Sequence, residues 1–108
     1  IAIANEIYQI CKSTGINYEE VKNFVLLDER IGKNIDVPGP DGDFGFGGKC
    51  FPKDLRALSY QSRESGYVPY LLEEIWRLNE RIRKNKDWLK IPWAISGNKP
   101  FHKKINQI

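Results

Sequence analysis

Between residues 28 and 50 the chain loses every regular period. On either side apolar residues recur at helical spacing, but here neither a 3.6-residue nor a 2-residue rhythm survives. Six of the nine glycines fall in this stretch (Gly32, Gly39, Gly42, Gly45, Gly47 and Gly48), together with Pro38 and Pro40. A loop of about 20 residues in a compact chain is usually functional or disordered. Phe44, Phe46 and the adjoining Phe51 argue against disorder, because aromatic side chains need a core to pack in or a ligand to touch. The fold must therefore hold a long glycine-rich loop between helices.

The flanking segments read as helices. Ile3, Ile7 and Ile10 form an apolar stripe with Ala4, Tyr8 and Cys11 beside it. Gly15 is placed to stop this first helix after Thr14. Asn17 stands three residues before Glu20, a capping-box spacing, and Val21, Phe24 and Val25 give a second helix its expected buried face. Pro52 is suited to the first turn of a third helix, with Asp54 in that turn facing the positive end of the dipole. Leu55 and Leu58 are its expected core positions, and Gly66 its stop. A fourth helix is expected from about Tyr70 to Asn85, with Leu71, Ile75, Leu78 and Ile82 along its buried edge. Trp88, Leu89, Ile91 and Trp93 are placed to cover the bundle, and 96–100 reads as a turn. No segment reads as a strand. The expected fold class is all-α, about four helices with one long glycine-rich loop, forming one small domain over residues 1–90 with a tail over 91–108.

Composition narrows the function classes. The 108 residues include two cysteines, Cys11 and Cys50, and one histidine, His102. That is too few for a disulfide scaffold or a zinc site, so no metal is expected. No apolar run approaches the roughly 20 residues of a membrane span, and the opening lacks a signal-peptide pattern. No membrane partner is expected, and the expected location is cytoplasmic. The chain has no methionine and opens inside a helical pattern, so it is expected to be an excerpt of a longer polypeptide. Residues 1–80 carry 9 basic and 13 acidic side chains, whereas residues 81–108 carry 8 basic and one acidic. A basic end with Trp88, Trp93 and Phe101 could suit nucleic acid. A solvated helix end and polar tail explains it more simply, so no nucleic-acid partner is expected.

Chemistry concentrates in Phe44-Gly45-Phe46-Gly47-Gly48-Lys49-Cys50-Phe51-Pro52-Lys53-Asp54-Leu55. Cys50 lies two residues before the proline expected to open a helix. Its sulfur would meet the free N–H groups and positive dipole of that helix, with Lys49 and Lys53 nearby. All three influences favour a thiolate, which is the nucleophilic form. The glycines remove side chains before the thiol, letting the backbone turn and a bulky ligand approach. Asp54, one helical turn beyond Cys50, could order a water. The run is neither a dinucleotide fingerprint nor a P-loop, since no strand precedes it and no Ser or Thr follows Lys49. Cys11 lies on an apolar helix face and is expected to be core.

This motif resembles the nucleophile loop of the UDP-glucose 6-dehydrogenase and GDP-mannose 6-dehydrogenase family. Ala4-Asn5-Glu6-Ile7, Thr14-Gly15-Ile16 and Asp28-Glu29-Arg30-Ile31-Gly32 are similar to the same family's central region. The resemblance covers residues 1 to about 90. It implies a helical segment between two Rossmann-type domains, which forms a homodimer interface and supplies the catalytic cysteine. It implies NAD as cofactor and UDP-glucose as substrate. Cys50 would form a thiohemiacetal and then a thioester at C6 of the sugar. Asp54 would position or deprotonate the hydrolytic water, and Lys53 would lie near the nicotinamide and Cys50. Arg30 would reach substrate in the neighbouring subunit, while Phe44, Gly45, Phe46 and Gly47 would wrap the nucleotide sugar and Phe51 would pack beside it. The resemblance also implies that the excerpt alone, lacking the NAD domain, is inactive. Pro52-Lys53-Asp54 disfavours the N-acetylhexosamine branch, and Phe46 with Phe51 leans towards glucose. The alternatives are GDP-mannose as substrate, or a non-catalytic dimerisation module.

Overall fold

The computed structural model describes residues 1–91. They are all-helical, as expected: four α-helices, a 3₁₀ turn and no strand among the described residues. The chain divides within the glycine-rich loop into two compact units, Ile1–Gly45 and a second beginning at Phe46. Trp93, the 96–100 turn, Phe101, His102 and most of the 91–108 tail lie outside the described residues.

In the first unit, α1 (Ala2–Thr14) and α2 (Tyr18–Val25) form a helical hairpin. Gly15 ends α1 with φ 76°, and its N–H donates to the Cys11 carbonyl. That left-handed conformation suits glycine, which has no Cβ to clash. Asn17 caps α2, its side-chain oxygen accepting from the N–H groups of Glu19 at 2.8 Å and Glu20 at 3.3 Å. These two residues punctuate the chain as their spacing predicts.

The buried faces differ from the periodic reading. Ala4, Cys11, Tyr18 and Val37 form the core, with Tyr8, Val21, Ile35 and Phe44 packed against it. Ile3 and Ile10 instead remain 74% and 54% exposed, and Phe24, Val25 and Ile7 are exposed as well. Both stripes on α1 are apolar and lie about 100° apart. Periodicity detects a helix with an apolar side, but cannot choose between adjacent stripes. The smaller Ala4–Cys11 stripe permits the close approach that the Tyr18 ring and the loop require. The Tyr18 hydroxyl donates to the Ile35 carbonyl at 2.5 Å, pinning the loop to α2. Burial pushes this phenol above its ordinary range. At the rim, Lys22 bridges Glu19 at 2.7 Å and Asp36 at 2.8 Å, which raises its ammonium pKa.

In the second unit, α3 (Phe51–Glu64) and α4 (Tyr70–Ile82) pack together. Pro52 occupies the first turn of α3, where its missing N–H costs nothing. Gly66, at φ 99°, follows the end of that helix. Leu58 and Leu71 are exposed, not core, and Leu55, Ile75, Leu78 and Ile82 are only half-buried. The face of α4 that is buried carries Glu73, Trp76 and Asn79. Polar residues can take these positions because each finds a partner. Arg63 of α3 grips Glu73 through two nitrogens, the second pair at 2.8 Å, and both side chains are only 4% exposed. Arg83, predicted to lie within α4, follows its end with extended backbone. Trp76 packs against Trp88 with ring centroids 5.0 Å apart and planes inclined at 59°, and Phe46, Leu55 and Ile91 pack around them. Trp88 and Ile91 thus cover the unit as expected, whereas Leu89 is exposed.

Candidate active site

The site residues foreseen from sequence fall into both units. Those nearest the thiol share the second. Cys50 occupies the N-cap position of α3 and is exposed, whereas Cys11 is buried. Among the described residues no side chain caps α3. Its first-turn N–H groups therefore have no side-chain acceptor, and they begin one residue after Cys50. The Cys50 carbonyl accepts from the Asp54 N–H at 2.8 Å, closing the first turn. Asp54 and Lys53 are exposed and paired, Nζ to Oδ1 at 3.2 Å. An exposed pair like this contributes little stability, and both groups are open to solvent and ligand. Phe51 is 53% exposed, with its ring edge-on to Phe46 at 6.2 Å.

The glycine run is held from α4 and beyond. The Phe46 N–H donates to Asn79 Oδ1 at 2.8 Å, and Asn79 Nδ2 donates to the Phe46 carbonyl at 2.9 Å. The Gly48 N–H donates to Asp87 Oδ2 at 2.9 Å. Gly47 has no room for a side chain: a Cβ there would fall inside the Arg83 guanidinium and 2.6 Å from Asp87 Oδ1. The sequence reading missed Asn79, Arg83 and Asp87. The three-residue spacing of Trp76 and Asn79 marks Asn79 as a polar residue on the face of a tryptophan, but nothing in the sequence marks Asp87 or names Phe46 as the partner.

In the first unit, Phe44 packs its ring against Tyr8 at 5.5 Å, and the Gly45 N–H donates to Asn5 Oδ1 at 2.9 Å. Gly45 has φ 64°. Asn5 is 2% exposed and was not foreseen as a loop anchor. Arg30 is held by Asp28, two residues before it, with Nη2 to Oδ2 at 2.8 Å and Nε to Oδ1 at 3.0 Å. This forked pair lowers the Asp28 carboxyl pKa and raises that of the guanidinium. The Arg30 side chain is 86% exposed. An open cleft of about 320 Å³ lined by Tyr8, Cys11, Lys12, Tyr18 and Val37 holds none of the foreseen site residues.

Among the described residues no cluster of His, Cys, Asp and Glu could hold a metal, and no helix is long and apolar enough to cross a membrane. What the arrangement offers is an accessible thiol at a helix start, with a cation and a carboxylate on the following turn.

Comparison with known proteins identifies the family. Residues 1–81 match the UDP-glucose/GDP-mannose dehydrogenase family, central domain. A UDP-glucose 6-dehydrogenase of Rickettsia prowazekii (strain Madrid E) is 46% identical over 98 residues, covering 91% of this chain and 21% of the relative. UDP-glucose 6-dehydrogenase TuaD of Bacillus subtilis (strain 168) is 39% identical over 83 residues, 77% of this chain and 17% of the relative. UDP-glucose 6-dehydrogenase AglM of Haloferax volcanii is 39% identical over 80 residues, 74% and 18% respectively. The chain thus spans about a fifth of the length of these relatives. No solved structure matches. The chain belongs to the UDP-glucose/GDP-mannose dehydrogenase family, over that family's central domain.

Proposed function

We propose that this chain is the central part of a nucleotide-sugar 6-dehydrogenase that oxidises UDP-glucose to UDP-glucuronate with two NAD. The observation that carries the reading is the exposed Cys50 thiol at the start of α3, with Lys53 and Asp54 on the next turn. Residues 1–90 are the helical dimerisation and catalytic-loop domain, and 91–108 the tail.

The described residues fit only one end of NAD. No strand precedes the glycine run, so they contain no dinucleotide cradle. Cys50 and Lys53 are exposed and would meet the nicotinamide end, while the pyrophosphate would be held by other residues. NAD, when bound, supplies the acceptor for the two hydrides that oxidation of an alcohol to an acid releases.

The chain's own part is covalent catalysis. The C6 alcohol first loses a hydride and its hydroxyl proton to become an aldehyde. The Cys50 sulfur then bonds to C6, and the thiol proton passes to the carbonyl oxygen to give a thiohemiacetal. Loss of hydride and that proton reforms the carbonyl as a thioester. Water, oriented by the Asp54 carboxylate, adds at C6. The C–S bond then breaks, releasing the acid and returning the thiol. The Lys53 ammonium favours negative charge on sulfur and oxygen through these steps. Phe44, Gly45, Phe46, Gly47 and Phe51 border the nucleotide sugar, and Arg30 reaches the substrate of a partner subunit in a homodimer.

The test uses the intact polypeptide. NADH absorbance is followed with UDP-glucose and with GDP-mannose, in wild type and in Cys50→Ser. Two NADH per UDP-glucose, lost in the variant, is the expected result. Activity with GDP-mannose alone would change the substrate and keep the mechanism. No reduction with either sugar, from a folded protein that binds NAD, would overturn the enzyme and leave a dimerisation module.

A further inference from the structure

We infer that Asn79 is a positioning residue for the Cys50 nucleophile, acting through the backbone of Phe46, with Asp87 holding Gly48 in the same way. The inference rests on the proposed role of Cys50 and adds the device that aims it.

Asn79 is 1% exposed, so its amide must find both an acceptor and a donor inside the protein. Both belong to one residue, at 2.8 Å and 2.9 Å from the Phe46 N–H and carbonyl. This is the exchange that a neighbouring β-strand would make, and it fixes the peptide planes on both sides of Phe46. Two residues on, the Gly48 N–H is held by Asp87 at 2.9 Å. Between them Gly47 lies against Arg83 and Asp87 with no space for a Cβ. The Phe46 ring then meets Phe51, immediately after the thiol.

A loop with glycine at positions 45, 47 and 48 has wide conformational freedom. A nucleophile must come within about 3–3.5 Å of its target carbon in a defined direction. The two requirements conflict unless the loop is tied. Here three backbone groups in three residues are tied by side chains far along the chain, and the last tie lies two residues before Cys50. An apolar residue at 79 could not hold Phe46, and would leave its N–H and carbonyl without these partners. The buried amide is what a placed loop requires.

In the intact polypeptide, Asn79→Ala is expected to lower kcat for NADH formation on the order of 10- to 100-fold with little change in KM. Peptide-resolved iodoacetamide labelling of Cys50 should slow, while Cys11 stays protected and the melting curve stays cooperative. Asp87→Ala should act in the same direction. Asp87→Asn should restore both readouts, because its amide oxygen still accepts from Gly48. A folded Asn79→Ala with wild-type Cys50 labelling and kcat, whether or not its melting temperature drops, would overturn the inference. If Asn79→Ala does not fold, the Asp87 pair decides. Equal behaviour of Asp87→Ala and Asp87→Asn, both impaired or both normal, would overturn it. Should the wild type oxidise neither sugar, the proposed function fails, and the labelling rates alone still decide whether these side chains place Cys50.

Discussion

At Gly47 two demands coincide on one residue. The proposed function asks it to border a ligand, while the structure packs the Arg83 guanidinium and Asp87 where its Cβ would stand. Gly47→Ala is therefore expected to destabilise the protein by about 1–3 kcal/mol, the usual cost of forcing atoms into a filled site. A denaturant melt checks this, and an unchanged midpoint would mean that Arg83 swings away freely. Asp28 is expected to respond to acid. Its carboxyl is held below the ordinary range, chiefly by the Arg30 side chain and then by the Arg30 N–H. A group with a lowered native pKa contributes above its unfolded value and loses that contribution as pH falls through the native one. The turn around Asp28 should therefore loosen only below about pH 4. The amide resonance of Arg30, whose N–H donates to Asp28 Oδ1 at 2.9 Å, should shift there. A shift centred at or above the ordinary carboxylate range would show that the pair is not formed in solution. Features set locally were legible in this way: Gly15, Asn17, Pro52 and the place of Cys50 at a helix start follow from spacing alone. Asn79 was not, because its partner Phe46 lies 33 residues away and nothing local ties the two.

At the scale of elements, the existence of four helices was legible and the identity of their buried faces was not. Helical periodicity reports where apolar residues recur, whereas burial depends on what the neighbouring element offers. On α4 it offers an arginine, so Glu73 is buried and Leu71 is exposed. The Arg63–Glu73 pair links α3 to α4 with both side chains 4% exposed. Removing one member of such a pair leaves a charge in low dielectric, a loss of about 3–5 kcal/mol. Glu73→Ala is expected to cost that much. The exposed pair of Arg77 with Glu74 should cost under about 1 kcal/mol when Glu74→Ala breaks it. Equilibrium unfolding of both variants makes the comparison, and equal losses would show that burial does not set the strength of the Glu73 pair.

At the scale of the whole molecule, the apolar side chains that the periodic reading assigned to a core have gone elsewhere. Ile3, Ile10 and Phe24 are 74%, 54% and 75% exposed, and Leu27, which the periodic reading did not place, is 79% exposed. Single exposed apolar residues are ordinary, but large apolar side chains on one helical hairpin are what the proposed homodimer would cover. A second copy is the partner proposed for the homodimer, and a two-fold contact would use each such residue twice. Ile3→Lys and Ile10→Lys should leave the fold intact, since both residues already face solvent, with changes within about 0.5 kcal/mol. Each should weaken association by about 2 kcal/mol if it lies at the centre of the contact, roughly thirtyfold in Kd. Sedimentation of the intact polypeptide over a dilution series reads this directly. Dissociation of the variants at concentrations where wild type stays dimeric is the expected outcome, with oxidation falling in step because Arg30 would no longer reach the partner's substrate. Wild-type association in both variants would remove α1 from the interface, and the exposed Phe24 and Leu27 would then be the next positions to charge.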